Sequence, residues 1–201
     1  MTMRRLAAPT IVLVLTATLA ACGSDDSSSA DTTQAAGVEA PAGASITLNA
    51  ADTEFAQGMI AHHEQAVEMA EIVLNPTVGA SAEVTDRATR IQAAQEPEIE
   101  KMTAWLTAAG ESTTMNMDGG HDMSSMDGMM SAEQMDALAA ATGAEFDQMW
   151  LEMMIAHHEG AVSQSETVKV DGSNPDVLLL ADQIIAAQQG EIAEMQALLG
   201  S

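Results

Sequence analysis

Met59-Ile60-Ala61-His62-His63-Glu64-Gln65-Ala66-Val67 recurs as Met154-Ile155-Ala156-His157-His158-Glu159-Gly160-Ala161-Val162 within a chain of 201 residues. Carrying the match back to Asp52 and Asp147 gives 16 aligned positions, nine of them identical. About 30 residues beyond each copy, a second matched pair appears: Ile91-x-x-x-Gln95-x-x-Glu98-Ile99-x-x-Met102 and Ile184-x-x-x-Gln188-x-x-Glu191-Ile192-x-x-Met195. An Asn-Pro turn signal lies between the members of each pair, at Asn75-Pro76 and at Asn174-Pro175. The folded part is thus one helical hairpin written twice.

Phe55, Met59, His62, Ala66, Met69 and Val73 follow one another at steps of 4, 3, 4, 3 and 4, which places them on one helical stripe. Ile60, His63, Val67 and Leu74 form a neighbouring stripe. A helix apolar around so much of its girth packs on two partners, which a lone hairpin does not supply. Two hairpins therefore predict an all-α fold, an antiparallel four-helix bundle with helices near 50–75, 80–109, 144–170 and 175–199. A shorter helix starts near Ser131, whose spacing to Gln134 matches a capping box, and Gly143 separates it from the next.

Composition agrees. Only 2% of residues are aromatic, there is no Tyr, and Ala, Leu, Met and Glu are abundant, which suits helices better than sheets. Six Lys and Arg stand against 30 Asp and Glu, a net charge of −24 that repels nucleic acid and suits a solvated, cation-attracting surface. One Cys cannot make a disulfide. No nucleophile constellation or Gly-rich phosphate loop stands out, so the reading is of a protein that is not an enzyme.

Residues 1–21 carry Arg4 and Arg5 ahead of an apolar run too short for a comfortable membrane span. The run ends in Leu19-Ala20-Ala21-Cys22, which resembles the bacterial lipoprotein box; cleavage before Cys22 and its acylation would anchor the chain to a membrane, facing outward in the cell envelope. An ordinary secretory signal is the alternative. Residues 22–49 then read as the acylated Cys and a flexible acidic tether, and 50–201 as the bundle domain. Within it, 50–110 forms the first hairpin, 111–130 a Met-rich loop and 131–201 the second hairpin.

The loop supplies Met115, Met117, His121, Met123, Met126, Met129 and Met130 among Gly, Ser and Asp residues that oppose a stable helix. Its thioethers have no obvious core to fill and could wrap a soft ion. On the helices, adjacent His residues point about 100° apart, so one of each pair faces the bundle axis and the other a neighbouring groove. Met59 lies one turn before His62 and His63, and Met154 stands likewise before His157 and His158. These six residues are the candidate metal ligands, with Glu98, Glu191, Met102 and Met195 on the facing stripes as further candidates.

Donor type selects the ion. Thioether and imidazole without thiolate suit Cu(I), with Ag(I) and Cu(II) as alternatives. Zinc more often recruits Cys or three His, and di-iron bundles need Glu-x-x-His where this chain has Met-x-x-His. A second reading stays open, in which His and Glu pair as a buried hydrogen-bonded network of an envelope interaction module. A third is a redox enzyme with copper or iron.

The doubled His-His-Glu motif, with Phe146-Asp147 and Met149-Trp150 ahead of the second copy, resembles the domain of unknown function 305 family over roughly residues 50–200. The resemblance implies a ferritin-like helical bundle in exported bacterial proteins, some of which bind copper in the periplasm through Met and His and contribute to copper tolerance. Carried onto this chain, it points to Met59, His62, His63, Met154, His157 and His158. The halves depart from each other where Gln164 replaces Met69 and Gly190 replaces Pro97. The expected function is an extracytoplasmic, membrane-anchored lipoprotein that sequesters copper or hands it to a transfer or envelope protein.

Overall fold

Asn49 and Asp52 start the first helix by capping each other. The Asn49 side-chain oxygen accepts from the Asp52 N–H at 2.8 Å, and Asp52 Oδ2 accepts from the Asn49 N–H at 2.9 Å. The structure, a computed structural model, describes residues 46–115 and 126–200, among which lie five helices and no strand. They are α1 (Ala50–Leu74), α2 (Ala82–Ala109), α3 (Ala132–Ala140), α4 (Gly143–Asp171) and α5 (Pro175–Leu199). The signal segment, Cys22, the tether as far as residue 45, and Met117, His121 and Met123 lie outside the described residues. No helix among the described residues is long and apolar enough to cross a membrane.

The ends of the helices follow the local chemistry expected of them. Ser131 and Gln134 form the capping box that their spacing predicts. Asn174 caps α5 ahead of Pro175, which needs no N–H in the first turn. α2 stops at Gly110, whose left-handed backbone returns its N–H to Leu106 and Thr107. Each helix of the repeat begins and ends within two residues of its predicted place.

α1 packs on α2 and α4 on α5, and the two hairpins meet principally through α1 and α4, which run antiparallel. Two apolar cores result. One gathers Phe55, Met59 and Met102 with Val168, Leu180 and Ile184; the other gathers Met69 and Ile91 with Phe146, Trp150, Met154 and Met195. Each such buried side chain stabilises the fold by about 1.5–3 kcal/mol. Along α1, Met59 belongs to the first core and Ala66 to the second; along α4, Met154 belongs to the second and Ala161 to the first. Both His pairs therefore sit in a layer between the cores.

The repeat also explains a crosswise tie. Asp52, fully buried, accepts from the Ser173 and Asn174 N–H groups and the Ser173 hydroxyl, so the start of α1 holds the start of α5. Its counterpart Asp147, near the start of α4, accepts from the Ser81 N–H at the start of α2. Each half thus secures the second helix of the other.

Three expectations need correcting. Met130, at the end of the loop, does have a core to fill: it is 7% exposed beside Leu138, and Gln65 clasps its N–H at 2.7 Å and its carbonyl at 2.8 Å. Leu74, placed on the second apolar stripe of α1, is exposed, while its neighbour Val73 in the same last turn is the one that reaches the core. Leu48 and Thr47, at the end of the tether, are docked: Leu48 packs on the first core and the Thr47 carbonyl accepts from the Asn174 side chain at 3.0 Å.

Candidate metal centre

Antiparallel packing of α1 on α4 brings the two copies of one motif face to face. His62 and His157 have ring centroids 3.8 Å apart, tilted by 45°. The next residue of each pair turns away by the helical step and reaches the partner helix of its own hairpin. His63 Nε2 lies 2.8 Å from Glu98 Oε2, and His158 Nε2 lies 2.8 Å from Glu191 Oε2. All four imidazoles are fully buried.

Oxygen partners show which ring nitrogen carries a proton. A carbonyl or carboxylate only accepts, so Nε2 carries the proton where His62 meets the Asp127 carbonyl at 3.3 Å and where His63 and His158 meet their glutamates. Nδ1 is then the remaining ring nitrogen in all three, and in the uncharged His62 it is a free lone pair. These Nδ1 atoms, and both nitrogens of His157, are buried without a hydrogen-bond partner among the described residues. Ligating histidines are commonly oriented in this way, with the outer N–H held by a carboxylate or backbone carbonyl.

Burial keeps the central pair uncharged. Loss of solvent, reinforced by neighbouring His63 and His158, pushes His62 down to about 3 against the opposing bond to Asp127. His157 is pushed well below the usual imidazole value, first by burial and then by the other three histidines. A cation arriving at neutral pH therefore meets lone pairs and displaces no proton from these two rings.

Sulfur lies within the same helices. Met59 and Met154 are fully buried one turn ahead of the His pairs, and Met102 and Met195 are fully buried on the second helices. Glu98 and Glu191 meet His63 and His158 but not the central pair. Of the described loop methionines, Met115 and Met126 come together beside Gly58, Met129 is partly buried, and Met130 joins the core. No three His, Cys, Asp or Glu side chains among the described residues form a ready-made cage. The centre is a pair with sulfur nearby.

Motif spacing alone missed several residues that shape this layer. Residues 126–130 form a strap across α4, and Asp127 contributes the carbonyl held by His62. Gly128 has φ +83° and lies against the Ala156 and His157 carbonyls, while a Cβ on Gly160 would collide with the Asp127 carbonyl. The signal was present in the repeat: Gly160 stands where the first half has Gln65, the residue that grips Met130. Gln95 and Gln188, matched positions of the repeat, are buried on the second helices. Each is 3% exposed, and both amide atoms of Gln95 and Oε1 of Gln188 have no hydrogen-bond partner among the described residues.

The family model for the domain of unknown function 305 matches residues 52–199, a span that contains both His pairs and every helix contact just described. The chain belongs to this family. Among solved structures, a family fragment from Deinococcus radiodurans is 28% identical with a TM-score of 0.68, covering 77% of this chain and 99% of the fragment. A protein from Streptomyces coelicolor, named as a secreted member of the family, is 28% identical with a TM-score of 0.67, covering 75% of this chain and 92% of its own. CopM in its Cu(II)-bound form is 31% identical with a TM-score of 0.61, covering 74% of this chain and 95% of CopM. CopM has also been solved in Cu(I)-bound and Ag-bound forms. No curated protein matches the chain.

Proposed function

We propose that this protein binds copper as Cu(I), and Ag(I) through the same donors, outside the cytoplasm and on a membrane, to sequester the ion or hand it to another envelope protein. His62 and His157 are the nitrogen ligands, and Met59 and Met154 the sulfur ligands that favour a soft, reduced ion. Met102 and Met195 extend the sulfur set. Glu98 and Glu191 act one step out, orienting His63 and His158. The four long helices serve as a ferritin-like bundle around this layer, and acylated Cys22 supplies the anchor. The chemistry is coordination, without turnover.

The observation that carries this reading is the contact between two buried, uncharged imidazoles whose lone pairs meet no donor. Each unsatisfied buried polar atom costs about 1–3 kcal/mol, and a soft cation offsets that cost. Kinship with CopM, solved with Cu(I), Cu(II) and silver, supports the choice of ion. Titration of the full mature chain with Cu(I) against a competing chelator tests it. Replacing both His62 and His157 by Leu, which keeps the layer packed, should weaken binding at least 100-fold, of the order expected for lost ligands and their orienting shell. Unchanged affinity sinks the site.

One observation favours a second reading. His63–Glu98 and His158–Glu191 are hydrogen-bonded through Nε2 without any metal, as an interaction module with structural His and Glu requires. That reading predicts a melting temperature indifferent to added Cu(I).

A further inference from the structure

The repeat is broken at two positions that face each other. Gly58 on α1 stands where the second half has Met153, and Gln164 on α4 stands where the first half has Met69. A Cβ placed on Gly58 would lie 3.3 Å from Gln164 Oε1, 3.4 Å from the Met126 methyl and 3.9 Å from the Met115 sulfur. Two departures from different helices therefore share one spot, and methionines from the two sides of residues 116–125 converge on it. Around them is a cavity of about 400 Å³, which Glu54, Asp127 and Asp171 also line. At the matching place in the other half, Met69 is fully buried and Met153 packs against the same core.

Ordinary packing does not account for this cavity. Met115 and Met126 are only half-buried there, and Gln164 Nε2 is buried with no hydrogen-bond partner among the described residues. Carboxylates at its wall raise the local concentration of cations, and thioethers select the soft ones. Met126 is followed directly by Asp127, whose carbonyl receives the His62 N–H. The strap that lines the cavity is therefore the strap that touches the buried pair.

We propose that this cavity is a receiving site for a soft monovalent cation, with Met115 and Met126 as its sulfur donors, from which the ion passes to His62 and His157. The second step rests on the copper reading above; the first does not. No redox change is involved, so Ag(I) serves as the probe.

Full mature chain is titrated with silver nitrate in chloride-free buffer, and loading is followed by stopped flow. The Met115→Leu/Met126→Leu variant should bind one Ag(I) fewer per chain and fill the remaining site roughly tenfold more slowly, because the locally held ion is lost. Gly58→Leu, which fills the cavity without adding a thioether, should do the same with both loop methionines intact. The leucine pair replaces partly exposed side chains by others of similar volume, and its melting temperature should match the parent. Wild-type stoichiometry and rate in both variants overturn the proposal. If His62→Leu/His157→Leu still binds one Ag(I), and the methionine variant in that background binds none, the receiving site is confirmed. If the same His variant binds as many ions as wild type, the copper reading of the buried pair falls instead.

Discussion

At one end of the α1–α4 interface, Trp150 is fully buried, packs with Met69 and donates its indole N–H to the Met69 carbonyl at 3.1 Å. At the other end, Phe55 holds the matching place in the repeat and faces a cavity. The two ends descend from equivalent positions, yet one is sealed with indole and sulfur while the other is left open by Gly58 and Gln164. Duplication set the frame and the histidine layer; a few divergent side chains decided where space remains.

The comparison is broken most forcefully at the aromatic pair. Trp150→Ala should cost about 3–5 kcal/mol, from the cavity and the lost hydrogen bond. Phe55→Ala should cost less, near the lower end of that range, because its neighbourhood is already incompletely filled. Urea unfolding of both variants checks the difference, and equal losses would contradict an open end. The shared middle layer comes next. His62 and His157 titrate below the 6.5 of an unfolded histidine, so from about pH 6.5 downward the unfolded chain binds more protons than the folded one. Stability is therefore full above that pH and falls on acidification by about 1.4 kcal/mol per pH unit for each ring, continuing toward pH 3 for His62. The urea midpoint of metal-free protein between pH 7.5 and 5.5 should fall accordingly, and a level midpoint would show that these rings are not desolvated. Smallest is the crosswise tie. Asp52→Ala strands three backbone N–H groups and a hydroxyl and should cost about 2–3 kcal/mol, against about 1 kcal/mol for Asp147→Ala, which releases one N–H. Thermal melts of the two variants would sharpen the contrast between the ends.

Much of this frame is readable from the chain. Steps of three and four place Met59, His62 and Ala66 on one stripe, and Asn-Pro and Ser-x-x-Gln mark helix starts, because helix periodicity and capping are local. The separation of each His pair into one axial and one lateral ring follows from the helical step. What local signals do not carry is which surfaces meet. Gln164 reads from the sequence as a lost methionine that makes the halves unequal; only its approach to Gly58 turns it into the wall of a cavity. Met130 reads as loop because Gly, Ser and Asp precede it, yet Gln65, 65 residues away, fixes its backbone against the core. Glu98 and Glu191 read as candidate ligands from their stripe, while their distances to His63 and His158 give them an orienting role in the proposed site.

The contact between His62 and His157 joins the two copies of the repeat at equivalent residues. A single hairpin would expose its half of the pair and could complete it only by meeting a second molecule, so assembly would depend on concentration. Covalent linkage through the segment containing α3 replaces that bimolecular meeting by an internal one, whose effective concentration is set by the length and stiffness of the connection and not by the amount of protein. It also removes the demand that both surfaces be identical. One copy can then keep a methionine where the other gives it up for glycine, an asymmetry that a symmetric dimer of one gene product cannot encode.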